Sequence, residues 1–311
     1  MEIKTIGVIG AGQMGAGIAH VAVMSGYNVI LTDISEERLQ AGVSGIASDM
    51  NRAIGRLGKK LAEGKMSQDD HDIQVAQSQA RIAAALDRIS TSVDLAAHAD
   101  AQLVVEAATE NVDLKYKIFE ELSEKTPNTT ILCSNTSSIS ITAIASHTNR
   151  PERVMGMHFM NPVPVMKLVE LIRGLATSDE TYSAVTAVAE NMGKTTVEGR
   201  DMPGFIVNRI LMPYINEAVQ ALYEGIASVE DIDTAMKLGT NVPMGPLTLA
   251  DYIGLDTCLA IMEVLHDGMG DSKYRPSPLL RKYVEAKWLG RKAHKGFYLY
   301  DERFRISGVN R

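Results

Sequence analysis

Residues 6–33 read IGVIGAGQMGAGIAHVAVMSGYNVILTD. The run from Ile3 to Ile9 is strand-like, Gly10-Ala11-Gly12-Gln13-Met14-Gly15 follows it, a helical pattern reaches Ser25, and a second strand, residues 28–32, ends at Asp33. A strand, a G-x-G-x-x-G turn, a helix and a strand closed by a carboxylate form a βαβ unit of about thirty residues. Gly10 permits the tight turn, Gly12 lets backbone approach a pyrophosphate, and Gly15 lets helix and sheet pack closely. The helix N-terminus turns oriented N–H groups toward the anion. Asp33, 23 positions after Gly10, is where an acidic side chain binds a ribose diol and repels a 2′-phosphate. NAD is therefore favoured over NADP, with Arg38 as the neighbour that tempers the preference. Up to Leu31 the stretch has no acidic or basic side chain other than His20 and is long enough to cross a bilayer. Its glycines, grouped toward one end, point instead to a buried strand–turn–helix–strand.

Downstream, two polar helical patterns cover residues 36–61 and 67–86, the second opening at a serine with acidic residues behind it. AQLVVEAA (101–108), TTILCSN (129–135), RVMGMHF (153–159) and KLVELI (167–172) are short β-rich runs, separated by helical patterns such as residues 113–125. Alternating strands and helices predict a mostly parallel sheet. After EGRDMPGF the strand-like runs stop, and helical patterns cover 206–223, 228–238, 246–253, 256–265 and 278–287. Ser228, with Asp231 ahead and Gly239 behind, has helix-capping chemistry. The expected organisation is an α/β domain over 1–200 and a smaller all-helical domain over 201–311.

A chain of 311 residues with a formal net charge of −7 has no basic excess with which to neutralise nucleic-acid phosphates. Cys133 and Cys258 supply no disulfide framework, and Cys133, inside TTILCSN, reads as a small hydrophobe in a strand. A reducing, cytoplasmic setting is expected. The N-terminus MEIKTIGVIG has no signal or transit pattern and reads as the start of the fold. The seven histidines, at 20, 71, 98, 147, 158, 266 and 294, form no helical pair and have no cysteine cluster nearby, so no metal is expected. No G-x-S-x-G elbow of a serine hydrolase is present.

The candidate chemistry centres on MGMHFMNPVPVMKLVELI, residues 155–172, an apolar segment holding one histidine and one glutamate. Their midpoint is Pro164, within Asn161-Pro162-Val163-Pro164, which continues neither a helix nor a central strand. A fold-back there places His158 opposite Glu170, so that the carboxylate fixes the imidazole tautomer and leaves the second ring nitrogen free for proton transfer. The segment alone is equally compatible with a satisfied core histidine beside a half-exposed glutamate. Glu110 after VVEAAT, and Asn135 and Ser137 in SNTSS, follow strand ends, where open α/β sheets bind ligands. SNTSS also reads as a capped loop. In PGFIVNRIL, Asn208 is suited to bond a substrate carbonyl or to stand as an exposed amide. The basic run 52–65 is suited to an anionic tail or is a solvated helix face.

Taken together, VIGAGQMGAGIA, VVEAATEN, SNTSS, HFMNPVPVMKLVEL, PGFIVNR, EDIDTAMKLG and MGPLTLADYIGLD resemble the L-3-hydroxyacyl-CoA dehydrogenase family, including its 3-hydroxybutyryl-CoA members, over nearly the full chain. The resemblance implies a Rossmann domain with an added helical hairpin and a helical C-terminal domain that forms a homodimer. It implies NAD-dependent oxidation of 3-hydroxyacyl-CoA, as in fatty acid β-oxidation, with His158 as acid/base, Glu170 as its orienting partner, and Ser137 and Asn208 on the substrate's 3-oxygen. Asp33, Glu110, Lys115, Asn135, Ser137, Asn161 and Lys292 would contact NAD with the loop Gly10, Ala11, Gly12, Gln13, Met14 and Gly15. For CoA the family places a serine and a lysine in the first hairpin helix. Here Asp49 and Arg56 stand at those places with Ser48 adjacent; Arg56 keeps the charge, whereas Asp49 would repel a phosphate. KAHKGF replaces a more usual K-T-G-x-G-F, so His294 is expected to alter the backbone near Lys292. Sugar-acid dehydrogenases of crystallin type keep the His and Glu but differ in the segment after the histidine. A non-catalytic NAD binder has no need of Ser137, His158, Glu170 and Asn208 together.

Overall fold

The computed structural model describes residues 2–310. It divides into two compact units, the division falling between Asp201 and Met202.

The first unit is built on one eight-stranded sheet. Its elements in chain order are β1 (Thr5–Ile9), α1 (Gln13–Met24), β2 (Asn28–Thr32), α2 (Glu36–Ala62), α3 (Gln68–Leu86), β3 (Ile89–Ser92) and β4 (Leu103–Glu106), then α4 (Val112–Lys125), β5 (Ile131–Ser134), α5 (Ile141–Ser146), β6 (Val154–Phe159), β7 (Leu168–Arg173), α6 (Asp179–Asn191) and β8 (Thr195–Arg200). Strand order is β3-β2-β1-β4-β5-β6-β7-β8. All neighbours pair in parallel except β6 and β7, the fold-back expected around Pro164. The direction of winding reverses between β1 and β4, and the crevice beyond the carboxyl ends of strands at such a point is where ligands bind. Gly10, Asp33, Glu110 and Asn135 thus lie beyond the carboxyl ends of β1, β2, β4 and β5, on one side of the sheet.

The interior strands are buried throughout, β4 and β5 at all four positions and β6 at all six, and are apolar apart from Glu106, Ser134 and His158. Helices cover both faces of such a sheet, so alternation is lost. The helices begin where a side-chain oxygen takes an orphan N–H: Ser35 accepts from Arg38 N, Ser67 from Asp70 N, and Asn111 from Leu114 N. α2 and α3 pack together as the added hairpin. α1 differs, because its cap residue is Gly12 and no side chain covers its first turn.

The second unit comprises α7 (Val207–Tyr223), α8 (Val229–Gly239), α9 (Pro246–Ile253), α10 (Leu255–Met269) and α11 (Pro278–Glu285) around its own core of Met212, Val219, Leu247, Met262 and Phe297. It is not wholly helical as expected: β9 (Tyr298–Tyr300) and β10 (Ile306–Val309) form an antiparallel pair. That pair is anchored by a buried carboxylate, since Asp251 accepts from Phe297 N and Tyr298 N, both at 2.9 Å, and from the Tyr300 hydroxyl at 3.0 Å. Asp233 caps α9 through Leu247 N and Thr248 N and takes the Tyr298 hydroxyl. These two carboxylates come from the strings EDIDTAMKLG and MGPLTLADYIGLD, and both hold the fold of this unit together.

Candidate active site

His158 and Glu170 are direct cross-strand partners on β6 and β7. Glu170 Oε2 lies 2.7 Å from His158 Nδ1; the carboxylate is fully buried and the imidazole is 6 % exposed. A carboxylate shut away from water needs such a partner, because desolvation costs several kcal/mol otherwise. With its proton held at Nδ1 by Glu170, a neutral ring presents Nε2 as an acceptor. That nitrogen is 3.1 Å from the Ser137 hydroxyl. The result is a carboxylate–imidazole–hydroxyl line running from the sheet to the strand ends.

Ser137 is held in turn by Glu110. One oxygen of Glu110 accepts from Ser137 N at 2.7 Å, from the Thr136 hydroxyl at 2.7 Å and from the Ser138 hydroxyl at 3.0 Å; the other faces Lys115 Nζ at 3.5 Å. Desolvation works to raise the Glu110 pKa, but the Lys115 charge and these three donors outweigh it and hold the carboxyl below its ordinary value. Lys115 itself is 2 % exposed and chelates Glu106 through contacts of 2.7 and 2.8 Å. Glu106 also accepts from the Ser134 hydroxyl and Ala108 N. Lys115 is thus buried between the buried Glu106 and the exposed Glu110. Glu106 escaped the sequence reading, although a carboxylate closing the apolar run LVVE was its signal. Asn135 accepts from Phe159 N at 2.8 Å, tying the loop after β5 to the strand that carries His158.

In the glycine loop, Gly10 takes φ +96° and a side chain there would meet the Ala107 carbonyl at 2.6 Å. A Cβ on Gly15 would stand 1.7 Å from the Gly10 carbonyl, with Val8 of β1 behind it. Gly12 is different: a Cβ there meets nothing within 4 Å, so no packing demands glycine at that position. The open space lies over the uncapped first turn of α1, where an anion is best received. Asp33 accepts from Ala11 N and Ile34 N, both at 2.7 Å, and Arg38 stands 3.8 Å away. The residues present therefore fit a dinucleotide.

Beside this loop is a cavity of about 410 Å³ between α1, α2 and the β6–β7 turn, lined by Gln13, His20, Gly45, Asp49, Arg52 and Asn161 among others. Asn161 accepts from Gln13 Nε2 at 3.2 Å. Ser48 and Arg56 are exposed on α2 and do not line the cavity; Asp49 and Arg52 do, paired at 2.8 Å. In the second unit Asn208 is half-buried in the first turn of α7, and Lys292 Nζ bonds Asp256 at 2.7 Å. His294 takes φ +58°, so the chain keeps there the left-handed conformation a glycine adopts freely.

Residues 5–202 match the profile described as 3-hydroxyacyl-CoA dehydrogenase, NAD binding domain, and residues 204–300 match the one described as 3-hydroxyacyl-CoA dehydrogenase, C-terminal domain. The chain belongs to the 3-hydroxyacyl-CoA dehydrogenase family. It is 54% identical over 303 residues to the probable 3-hydroxybutyryl-CoA dehydrogenase of Bacillus subtilis (strain 168), covering 97% of this chain and 99% of that one. It is 52% identical over 298 residues to the 3-hydroxybutyryl-CoA dehydrogenase of Bradyrhizobium diazoefficiens, covering 96% of each. Among solved structures, (S)-3-hydroxybutyryl-CoA dehydrogenase PaaH1 from Ralstonia eutropha superposes with a TM-score of 0.87 at 48% identity, covering 97% of this chain and all of that one. Membership of this family makes the first unit an NAD-binding domain and agrees with the fit of the glycine loop and Asp33. Among the described residues, no helix is long and apolar enough to cross a membrane.

Proposed function

We propose that the protein catalyses the reversible NAD-dependent oxidation of a short-chain (S)-3-hydroxyacyl-CoA, such as 3-hydroxybutyryl-CoA, to the 3-ketoacyl-CoA. The observation that carries this reading is the buried His158–Glu170 pair with the Ser137 hydroxyl on the remaining ring nitrogen. The short chain is favoured by relatives at 52% and 54% identity that are named for 3-hydroxybutyryl-CoA.

In the oxidative direction His158 Nε2 takes the proton of the 3-hydroxyl, and Glu170 neutralises the imidazolium that forms. Bound NAD supplies the acceptor for the hydride leaving C3. Ser137 and Asn208 donate hydrogen bonds to the 3-oxygen as its charge changes. Asp33 holds the adenosine ribose, the loop Gly10–Gly15 receives the pyrophosphate, and Glu110, Asn135, Asn161 and Lys292 complete the cofactor contacts. Lys115 acts through Glu110. Arg56 and Ser48, with Arg52, offer the CoA phosphates a basic edge on α2. The C-terminal unit takes part in substrate binding and forms a homodimer, and the protein works in the cytoplasm.

The test is oxidation of NADH or NADPH by acetoacetyl-CoA. Rapid loss of NADH absorbance, with little loss of NADPH, is the expected result. Activity with NADPH alone would remove the reading of Asp33. Turnover of free hydroxy acids that CoA does not inhibit would favour the sugar-acid dehydrogenase reaction. Binding of NADH without turnover of any acyl-CoA would leave a cofactor-binding protein.

A further inference from the structure

Lys194 is a buried cation received by backbone carbonyls. It follows Gly193 immediately before β8 and is 8 % exposed, and among the described residues no carboxylate pairs with it. Burial alone pushes its pKa down. Burying an ammonium is expensive unless something compensates, and here the compensation comes from backbone. Lys194 Nζ donates to the Val163 carbonyl at 2.5 Å and to the Met166 carbonyl at 2.9 Å. Both carbonyls belong to the turn, residues 160–167, that joins the strand of His158 to the strand of Glu170.

Several residues of that turn are open to solvent: Pro162, Pro164, Val165 and Met166 are exposed. Two further contacts hold its first half. The Val163 side chain, 2 % exposed, fills a slot against Gly17 of α1, where a Cβ would come within 2.9 Å of it. Asn161 accepts from Gln13 of the glycine loop. Lys194 ties two points of the turn, 163 and 166, to the body of the sheet.

We infer that Lys194 is a positioning residue for cofactor binding: it fixes the β6–β7 turn so that Asn161 stands against Gln13 and the turn keeps its place beside α1. The inference rests on the proposal that Asn161 and the glycine loop contact NAD. It needs no substrate, and so it can fail separately from the reaction. The register of His158 with Glu170 is set by the strands themselves, so Lys194 governs binding more than chemistry.

NADH affinity, read by fluorescence titration of the full-length protein, tests it in a double-mutant cycle. K194M is expected to weaken NADH binding at least tenfold, N161A by a similar factor, and the double variant no further than the weaker single one. K194R, which keeps a charge and two donors, is expected to restore binding to within about threefold of wild type. At saturating NADH, turnover of acetoacetyl-CoA by K194M should fall less than about threefold. If K194M does not fold, K194Q is titrated in its place. Wild-type affinity in K194M or K194Q, with only a lowered melting temperature, would reduce Lys194 to a structural residue and overturn the inference. Multiplicative losses in the double variant would show that it does not act through Asn161. Failure of the wild-type protein to bind NADH would remove the cofactor reading on which the inference rests.

Discussion

A carboxylate with no solvent beside an imidazole with one nitrogen turned toward a serine hydroxyl separates two duties, and each can be removed alone. H158Q keeps a polar side chain but loses the proton acceptor. It should reduce turnover of 3-hydroxybutyryl-CoA by about 10²–10⁴-fold with NADH affinity near wild type. Near-wild-type turnover would refute the acid/base assignment. E170Q keeps the shape of the pair but not the charge that stabilises the imidazolium. A loss of roughly ten- to a hundredfold in kcat, with an altered pH–rate profile, corresponds to about 1.4–2.7 kcal/mol of transition-state charge stabilisation. An unchanged profile would leave Glu170 a packing role. The pair was legible in the chain because the two residues are equidistant from Pro164, where a strand must stop. Lys194 was not: a single lysine after a glycine carries no sign of the carbonyls it will meet. Arg52 was visible only as the first charge of a basic run, since which face of α2 lines the cavity depends on packing against α1.

At the level of elements, the first turn of α1 is where folding and binding separate. A Cβ on Gly12 meets open space, whereas one on Gly15 would collide with the Gly10 carbonyl. G12A should therefore keep the wild-type melting temperature within a degree or two while weakening NADH at least tenfold, about 1.4 kcal/mol, because the methyl occupies the phosphate's approach. G15A should lose stability and binding together, as overpacking typically costs about 1–3 kcal/mol. Equal melting temperatures for the two variants would sink the distinction. The βαβ unit, the hairpin helices and the C-terminal helices were readable because their apolar periods and caps agree. Among the elements that escaped, the strands β3, β8 and the β9–β10 pair did so for two physical reasons. β3 and β8 are the two edges of the sheet, and ISTS and TTVEGR are largely solvent-facing and so lack the apolar run of a central strand. The β9–β10 pair owes its place to the distant carboxylate of Asp251, a long-range interaction that no local pattern announces.

Across the whole molecule, each unit carries one buried group whose titration opposes the other's. In the first unit His98 is fully buried, with Nε2 on the Thr32 hydroxyl and Nδ1 so close to Gly7 that a Cβ there would stand 2.4 Å away. Burial lowers its pKa from 6.5 to about 4. The unfolded chain takes up a proton that the fold refuses, so this stability is complete above about pH 6.5 and is lost as pH falls toward 4. In the second unit burial raises the Asp251 pKa to about 6 despite its three hydrogen-bond donors, with Asp233 adding repulsion. Its contribution has the other sign: it is complete below the unfolded value of 3.8 and is lost as pH rises through about 6. Each contribution amounts to roughly 3 kcal/mol at full extent. The two slopes cancel in part between about pH 4 and 6.5, and single variants should expose them. Compared with wild type by urea unfolding from pH 7 to 4.5, the destabilisation of H98Q should shrink toward acid, because wild type loses what the variant no longer has. The destabilisation of D251N should grow over the same window, because wild type gains what the amide cannot. Penalties that stay constant with pH in both variants would show that neither group changes protonation on folding.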